Sequence, residues 1–427
     1  MPYSSTLFTA RLAVAATMAT CSLCANPAVA QVPTPITWNT MAAAPIGRYE
    51  ALGGASGSKL YVLGGFFTAS IDATVRCDVY DRATDTWTRL ADMPEPITHA
   101  GAAFDGNYIY TAGGFVGMHP GPGTDHVWRY DIAANTWSAG VPLPAARGGG
   151  MVVRLGRMLH FFGGGIRINN VWRPDPADHW AFPLDAPNPQ WVAKAPMPNP
   201  RNHLGGTVLN GKIYAIGGQH EGNEANDNQT SIHEYDPATD TWTAKANMPR
   251  PLGHIMSTVF ALNNRVVVVS GVTDNTGSVA NIIEFDPVAN TWRELTPLLE
   301  PRHSPVAGVI DGRMVVSGGT YGPLQTTTWL SAQVLPSRAA GPVATGVQLF
   351  PNPAVAPSVE FVLDQFAAGP YRVELTDALG RVCRRYSLVA QSAAPRGSLS
   401  IHELPAGVYS AAFYQGTQVV RTRLVRQ

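Results

Sequence analysis

Residues 236–242, Asp-Pro-Ala-Thr-Asp-Thr-Trp, follow a strand-like stretch that ends in Tyr235. Aspartate and proline start tight loops, and the second aspartate tolerates a strained turn position. The same step from an aspartate to a tryptophan recurs along the chain, at 81–87, 131–137, 185–191, 236–242 and 286–292. Because a constant loop length holds the register of the strands it joins, the stretch predicts a repeated hairpin.

The tryptophans of these loops belong to a longer period. With one more at the start of the chain they are Trp38, Trp87, Trp137, Trp191, Trp242 and Trp292, separated by 49, 50, 54, 51 and 50 residues. A period near fifty indicates one structural unit that is too small to bury its own apolar face and therefore packs against its copies.

Each copy also contains a short apolar run that ends in glycines. The runs lie at 60–65, 108–114, 158–164, 213–218, 266–271 and 314–319. Their aromatic and β-branched residues predict strands, and their nearly continuous apolar character predicts burial on both faces. We expect the glycine pair to permit a bend or a close backbone approach that a side chain would block.

Turn signals precede several of these runs, at Asp105-Gly106, Asn210-Gly211 and Asp311-Gly312. Such dipeptides favour two-residue hairpins. Each copy of about fifty residues therefore predicts four antiparallel strands. A single sheet of this size would expose an apolar face, whereas six sheets arranged radially bury each face against a neighbour.

The glycine pair, the Tyr-Asp step and the tryptophan together resemble the kelch repeat over residues 36–335. The resemblance implies an all-β chain with a six-bladed kelch β-propeller. Two copies depart from the pattern: the fifth has Ser270-Gly271 in place of two glycines, and the third has a proline-rich detour at 174–189.

The two ends of the repeat region are incomplete in complementary ways. Trp38 has no glycine pair before it, and Gly318-Gly319 has no aspartate-to-tryptophan step behind it. We therefore expect residues 36–41 to pair antiparallel with the 326–334 region, so that the N-terminal strand closes the last blade of a propeller formed by residues 31–336.

The first thirty residues have the pattern of a secretory signal peptide, residues 1–30. Arg11 precedes an apolar stretch at 12–25, and Ala28-Val29-Ala30 offers a cleavage site. This pattern predicts export to the periplasm, and onward to the extracellular space or the cell surface. A lipoprotein alternative through Cys21 or Cys24 is disfavoured, because neither follows a suitable small residue.

Composition narrows the possible partners. The 30 basic and 30 acidic residues cancel, and no basic run is present, which argues against a nucleic-acid partner. No second apolar run is long enough for a transmembrane segment. Cys77 and Cys383 fall in different predicted domains, so no disulfide framework is expected. We expect a monomer.

The period ends at a linker, residues 337–346, and short alternating strands follow that predict a small Ig-like β-sandwich at 347–427. Three phrases there, Leu349-Phe350-Pro351-Asn352-Pro353, Asp377-Ala378-Leu379-Gly380-Arg381 and Leu404-Pro405-Ala406-Gly407-Val408-Tyr409, resemble the C-terminal sorting domain of the type IX secretion system. The resemblance implies that outer-membrane secretion machinery is a partner. The alternative is an accessory module, such as one that binds carbohydrate.

Two sets of repeat positions are expected near the channel of the propeller. The first contains Arg48, Arg147, Arg201 and Arg302; the second, two residues further on, contains Glu50, His99, His203 and His254, with Gly149 and Ser304. The arginines could bind a carboxylate or sulfate bidentately, or they could pair with framework carboxylates between blades. For the histidines we favour hydrogen bonds to the backbone.

A metal site at His99, His203 and His254 would need the three side chains to converge across the channel, because metal–nitrogen bonds are about 2 Å long. We therefore expect no metal and no cofactor. No phosphate loop, metal-binding helix or nucleophile elbow is present, so no catalytic residue is assigned.

The favoured function is that of a secreted or cell-surface binding protein for a glycan, a peptide or a protein at the propeller mouth. The alternative is an enzyme similar to the sugar-acid mutarotases of the kelch type, in which the arginines hold the sugar carboxylate and Glu50 or a histidine moves protons. A third possibility is adhesion through rim loops at 66–74 and 220–228.

Overall fold

The computed structural model of the chain describes residues 35–332, apart from 120, 170, 222–226 and 275–276. It also describes residues 347–426, apart from 351, 353, 355–356, 364–367, 378–380, 391–395 and 417. The predicted signal peptide (1–30) and linker (337–346) lie outside the described residues. The described residues form strands and loops, and none of them belongs to a helix that could cross a membrane.

Residues 38–331 form six successive sheets. The strand β1 (Trp38–Met41) comes first and belongs to the sixth sheet. The first sheet contains β2 (Leu52–Ser56), β3 (Lys59–Leu63), β4 (Cys77–Asp81) and β5 (Thr86–Arg89). The next region contains β6 (Ile97–Thr98), β7 (Gly101–Phe104), β8 (Tyr108–Ala112), β9 (Phe115–Val116), β10 (Val127–Asp131) and β11 (Thr136–Ala139). Of these, β7, β8, β10 and β11 form the second sheet, and β6 pairs separately with β9.

The third sheet contains β12 (Gly148–Leu155), β13 (Met158–Ile168), β14 (Val171–Arg173), β15 (His179–Pro183) and β16 (Val192–Ala193). The fourth contains β17 (Gly205–Leu209), β18 (Lys212–Ile216), β19 (Ile232–Asp236) and β20 (Thr241–Ala244). The fifth contains β21 (Val259–Leu262), β22 (Arg265–Thr273), β23 (Gly277–Asp286) and β24 (Thr291–Leu295). The sixth joins β25 (Val306–Ile310), β26 (Arg313–Ser317) and β27 (Thr328–Ser331) to β1.

The first strand of each sheet faces a common channel. Strands β2, β7, β12, β17, β21 and β25 contact one another in that order, and β25 contacts β2. All six line a channel of about 280 Å³ with mostly small residues, among them Gly53, Ala103, Gly206 and Gly308. The sheets therefore form an all-β, propeller-like arrangement whose faces are buried against neighbouring sheets.

The sixth sheet joins the two ends of the repeat region. Strand β1 pairs antiparallel with β27, from Trp38 opposite Ser331 to Met41 opposite Thr328. The antiparallel pairing expected between residues 36–41 and the 326–334 region is observed. Because the two strands are nearly three hundred residues apart in the chain, this pairing ties the first described strand to the last strand of the region.

The aspartate-to-tryptophan loop fastens each sheet to the one before it. Tyr235 lies opposite Trp242, and its hydroxyl donates to Oδ1 of Asp240 at 2.7 Å. The same carboxylate accepts a bond from the backbone N–H of Ala195, in the loop that follows β16, and Trp242 Nε1 donates to the Ala195 carbonyl. Asp240 has a φ of 52°, the strained turn position that its residue type predicts.

The glycine pair brings the backbones of neighbouring sheets together. Gly217 and Gly218 have φ values of 52° and 97°, and the Gly218 N–H donates to the Leu252 carbonyl at 2.8 Å. A Cβ on Gly217 would lie 2.4 Å from that carbonyl oxygen, which confirms the predicted close approach. Ser270, the departure in the fifth copy, keeps a positive φ of 63°, and its hydroxyl donates to the corresponding carbonyl, that of Arg302.

The C-terminal region forms two sheets around one core. Its strands are β28 (Val347–Phe350), β29 (Ser358–Leu363), β30 (Gly369–Asp377), β31 (Val382–Ala390), β32 (Arg396–Ser400), β33 (Gly407–Gln415) and β34 (Gln418–Arg426). One sheet has the order β28-β29-β32 and the other β31-β30-β33-β34. Phe361 and Phe413, from different sheets, are fully buried in the shared core with ring centroids 5.2 Å apart.

Described residues of the three tail phrases make hydrogen bonds close to strand ends. Asn352 donates to the Arg423 carbonyl at 2.6 Å and accepts from the Val425 N–H, which attaches its segment to β34. Asp377 Oδ1 accepts a bond from the Arg381 N–H, and the Tyr409 hydroxyl donates to the Pro405 carbonyl. These contacts give the phrases a structural role in the sandwich.

Candidate functional site

Six equivalent repeat positions at the start of the inner strands form a ring, which we call the channel ring: Glu50, His99, Gly149, His203, His254 and Ser304. All six have a left-handed backbone, with φ values of 50°, 55°, 70°, 52°, 55° and 44°. Backbone bonds link neighbouring positions: Gly149 N–H donates to the His99 carbonyl, and His203 N–H donates to the Gly149 carbonyl, both at 2.8 Å. Left-handed non-glycine residues are costly and concentrate at functional sites, so the ring is a candidate site.

The arginines of the first predicted set do not face the ring as unpaired groups. Arg48 donates to Oδ2 of Asp78 at 2.6 Å, and the side chains of both residues are almost completely buried. Asp78 also accepts two bonds from Arg76. Because Asp78 lies on β4 of the sheet that Arg48 enters, the ion pair lies within a sheet, not between blades.

The other three arginines also make hydrogen bonds or ion pairs within their own sheets, but the partners differ from one to the next. Arg147 pairs with Asp178. Arg201 is fully buried and donates to the backbone carbonyls of Ala215 and Gly217. Arg302 donates to Thr327 and to Glu300, and its guanidinium lies 4.2 Å from the centroid of the Trp329 ring. This geometry favours the framework role for the arginines over a role as ligand-binding groups.

The histidines converge, contrary to the expectation that the channel would keep them apart. The ring centroids of His99 and His203 are 4.8 Å apart, and those of His203 and His254 are 4.4 Å apart. The potential ligand atoms of the three side chains all lie within 4.8 Å of one another. Gly149 occupies the ring position between His99 and His203, where a Cβ would lie 3.2 Å from Nδ1 of His203. The missing side chain lets the two imidazoles meet.

Glu50 places a carboxylate among these imidazoles. Its Oε1 accepts bonds from Nδ1 of His254 at 2.5 Å, from the Ser304 hydroxyl at 2.6 Å and from Nε2 of His303 at 3.1 Å. Its Oε2 lies 3.7 Å from Nε2 of His99 and has no hydrogen-bond partner among the described residues. One carboxylate oxygen is thus saturated, whereas the other is buried and unsatisfied.

The charges of the ring follow from burial and proximity. Burial alone would raise the pKa of Glu50, but the adjacent His99 and His254 and its hydrogen bonds hold that pKa well below its ordinary value. Burial lowers the pKa of His99 to about 4 and that of His203 well below its ordinary value. Burial thus disfavours the charged imidazoles of His99 and His203, whereas hydrogen bonds from His254 and His303 favour the charged carboxylate of Glu50.

A second layer of polar groups orients the histidines. Nδ1 of His99 lies 2.8 Å from the Thr98 hydroxyl. Nδ1 of His203 donates to Oδ1 of Asn202. The Asn202 amide donates in turn to Asp175 at 2.7 Å, whose pKa is raised to about 6 by burial.

A pocket of about 140 Å³ lies over one side of the channel ring. We call it the mouth pocket. Its walls include Phe66, Phe115, His119, Arg167 and Trp172, and His99 and His203 reach its floor. The Phe115 and Trp172 rings meet edge to face, with centroids 5.8 Å apart.

Arg167 is the cation of the mouth pocket. Its guanidinium lies 5.6 Å from the centroid of the Trp172 ring, and its Nε is buried without a hydrogen-bond partner. Within the part of the chain that the structure describes, no carboxylate lies in salt-bridge distance of Arg167. The group is therefore positioned to receive an external acceptor.

Sequence reasoning identified the channel ring but missed the pocket walls. Phe66 and Phe115 each directly follow a glycine pair. Phe66 forms a β-bridge with Tyr49, and Phe115 pairs with Thr98. Tyr49 and Thr98 each lie one residue after the arginine position of their copy. Arg167 and Trp172 lie in the extended β13 and in β14, which the other sheets lack. The 54-residue step of the third copy was the signal for this insertion. His303 was missed because it lies one position before the ring residue of its copy.

Comparisons with known proteins agree with the repeat. The family described as Kelch motif matches residues 47–94, 96–144 and 200–249. These ranges contain the first, second and fourth copies, whereas the third, fifth and sixth copies lie outside them. Kelch-like protein 23 of Homo sapiens is 26% identical over 265 residues, which cover 62% of this chain and 44% of that protein. The chain therefore spans less than half the length of that relative.

Two further comparisons cover a larger share of the protein that is compared. Kelch-like protein terF of Aspergillus terreus is 25% identical over 310 residues, which cover 68% of this chain and 66% of that protein. The solved structure titled "Structure of YjhT" superposes with a TM-score of 0.54 and 16% identity, covering 68% of this chain and 96% of that one. The structural likeness supports the fold alone. Three kelch motifs thus match this chain, and the relatives to which it is similar are kelch proteins.

Proposed function

We propose that this kelch repeat protein is a binding protein whose mouth pocket takes a carboxylate side chain from a protein partner. The observation that carries the proposal is Arg167, a pocket cation with a buried, unpartnered Nε and no carboxylate of the described residues within salt-bridge distance. A guanidinium binds carboxylates bidentately, and the aromatic ring of Trp172 beside it excludes water from the contact.

The size of the pocket favours one side chain over a larger ligand. Its volume of about 140 Å³ is well below the roughly 300–1,000 Å³ of sites that enclose drug-sized molecules. The walls formed by Phe66, Phe115 and Trp172 would contact the apolar part of an aspartate or glutamate side chain. The remainder of a partner protein would contact the rim, as in interfaces that are anchored by one residue in a pocket.

A sugar-acid mutarotase remains the second candidate, because His99 and His203 reach the floor of the same pocket. In that case Arg167 would hold the sugar carboxylate, since Arg48, Arg147, Arg201 and Arg302 are engaged in the framework. A binding experiment that compares acidic peptides with acidic sugars as probes separates the two candidates.

The pocket predicts a preference for acidic peptides. Panning of a random heptapeptide library on the full chain is expected to enrich sequences with a recurrent aspartate or glutamate. Replacing that residue by its amide in a synthetic peptide should weaken binding by at least about tenfold, because a charge-assisted bond to Arg167 is lost. Calorimetry of the full chain with each peptide measures the difference.

Arg167→Met should weaken peptide binding to a similar extent, and Trp172→Ala should weaken it through the lost wall. Arg173→Met is the matched control, because Arg173 is exposed on β14, carries the same charge and does not line the pocket. Binding of an acidic sugar but not of peptides would favour the mutarotase. If neither class binds, or if Arg167→Met binds as well as Arg173→Met, the pocket is not the site.

We also propose that the six sheets are the blades of a closed six-bladed kelch propeller, residues 31–336, and that residues 347–427 form an Ig-like sandwich. The contacts of the six inner strands around one channel support the first assignment. Two sheets around a shared core support the second. A monomer is proposed for the whole chain.

For export, we propose cleavage after Ala30 and passage through the outer membrane directed by residues 347–427. The sequence phrases of the tail, whose described residues make hydrogen bonds close to strand ends, support this proposal. Cells that express the chain without residues 347–427 should retain it in the periplasm, while the full chain reaches the cell surface or the medium. Equal export of both would contradict the proposal.

A further inference from the structure

We infer that the channel ring is a metal site in which His99, His203 and His254 bind a divalent ion of the Zn²⁺ type, with the fourth position left to water. Three imidazole nitrogens and a water are a ligand set that Zn²⁺ takes in proteins. The inference rests on the geometry of the ring and does not depend on the proposed peptide binding.

The spacing of the ligand atoms is the first argument. Potential ligand atoms of the three histidines all lie within 4.8 Å of one another. Tetrahedral bonds of roughly 2.0–2.1 Å put neighbouring ligand atoms about 3.4 Å apart. Metal binding would therefore require the most distant pair of ligand atoms to approach by at most about 1.4 Å.

The hydrogen bonds at Nδ1 are the second argument. Nδ1 of His203 donates to Asn202, and Nδ1 of His254 donates to Oε1 of Glu50. Each bond places the proton on Nδ1 and the lone pair on Nε2. Metal-binding histidines are held in this way by an outer acceptor on the opposite nitrogen. The Thr98 hydroxyl beside Nδ1 of His99 completes a similar second layer.

The surroundings of Glu50 are the third argument. The ion pairs of Glu50 among the described residues are all with histidines, and no lysine or arginine contacts its carboxylate. Its Oε2 is buried and unsatisfied. A metal ion held by the three imidazoles would place a positive charge close to this oxygen.

The mouth pocket provides the route of entry. His99 and His203 reach its floor, so an ion can arrive from solvent without opening the channel. A bound ion would also lie at the base of the pocket, below the position proposed for the partner's side chain. Arg167 is not one of the three proposed ligands, so metal binding and peptide binding can be tested separately.

The test uses the full chain without an affinity tag, stripped by a chelator and dialysed against Zn²⁺ alone. We expect one Zn²⁺ per chain by elemental analysis. His99→Ala and His203→Ala should each weaken binding by roughly 100-fold or more, since even outer-layer changes cost about 10–100-fold. His126→Ala, which removes a surface histidine paired with Glu95, and Arg167→Met should bind Zn²⁺ as the wild type does.

A spectroscopic measurement on the wild type covers the case in which the ring variants do not fold. X-ray absorption of the Zn²⁺-loaded chain should show three imidazoles and one oxygen ligand at roughly 2.0–2.1 Å. Tryptophan fluorescence of the metal-free variants reports whether their fold is retained. A wild-type chain that keeps no Zn²⁺, folded ring variants that keep it fully, or an absorption spectrum without imidazole ligands would overturn the inference.

Discussion

Asp78→Ala is expected to lower the free energy of unfolding of the repeat region by about 3–5 kcal/mol, because it leaves the buried Arg48 guanidinium without its counterion. The bond from Arg48 to Asp78 is 2.6 Å long, and the side chains of both residues are almost completely buried. Burial lowers the pKa of Arg48, with Asp78 acting against this effect. Loss of Asp78 would also remove the acceptor of two bonds from Arg76.

Denaturant unfolding followed by tryptophan fluorescence measures this effect in the full chain. All ten tryptophans lie between Trp38 and Trp329, so the signal reports on the repeat region and not on residues 347–427. The double variant Arg48→Met, Asp78→Ala removes both charges and should recover part of the loss. Asp92→Ala, which breaks an exposed pair with Arg89, should have only a small effect.

An Asp78→Ala variant as stable as the wild type would mean that Arg48 reaches water or another acceptor. The framework role of the arginines would then fail, and the alternative in which they hold a ligand carboxylate would regain support. A strong loss that the double variant partly reverses would instead show that Arg48 and Asp78 act as a pair.

The second large effect is acid destabilisation by the buried pair His160 and His179. Nδ1 of His160 donates to Nε2 of His179 at 3.0 Å, and Nδ1 of His179 donates to the Ala195 carbonyl. Burial lowers the pKa of His160 to about 4 and that of His179 to about 3, from an ordinary value of 6.5. Tyr235 and Trp242 pack against the pair, and Lys194 and Asp240 are the charged groups nearby.

The direction in which stability changes with pH follows from proton binding in the folded and unfolded chains. Both imidazoles are neutral in the folded chain, whereas the unfolded chain binds protons on them below about pH 6.5. Their stabilisation is therefore complete above pH 6.5 and is lost as the pH falls towards 4, by about 1.4 kcal/mol per pH unit for each histidine. The double variant His160→Leu, His179→Phe should show a shallower decline of unfolding free energy over this range.

Measurement of unfolding free energy at several pH values between 7 and 4 tests this prediction. Other buried histidines, including His233, whose pKa burial lowers to about 4, contribute with the same sign, so the informative quantity is the difference in slope. His126→Ala, a change at a half-exposed surface position, is the control and should leave the slope unchanged. Equal slopes for the double variant and the wild type would mean that the pair is already protonated in the fold.

Features that repeat with the fifty-residue period could be predicted from the sequence. The hairpin from Tyr235 to Trp242 depends on a loop of fixed length and on residues that tolerate strained turns, and both are local properties. The close approach at Gly217 depends on the absence of a side chain, which a sequence displays directly. Five copies of the aspartate-to-tryptophan step and six apolar runs that end in glycine also allowed the pairing of β1 with β27 to be inferred from the two incomplete ends.

The roles of the arginines could not be predicted from the same pattern. Arg48 and Arg201 occupy one repeat position, but one pairs with Asp78 and the other binds backbone carbonyls of β18 and the residue that follows it. An arginine that is free to bind a ligand and one whose hydrogen bonds are satisfied within the fold can have the same neighbouring residues in the sequence. Only the placement of a carboxylate some thirty residues away distinguishes them.

By itself the sequence determined that the chain repeats and that each copy forms strands. It also determined that Glu50, His99, His203 and His254 share one ring, because equivalent positions of a periodic sequence occupy symmetry-related places in the fold. The tertiary structure decided how close these side chains come, since that depends on the width of the channel and on the space left by Gly149. It also decided where the mouth pocket lies. Arg167 and Trp172 come from an insertion in one copy, and an insertion has no symmetry from which its position could be inferred.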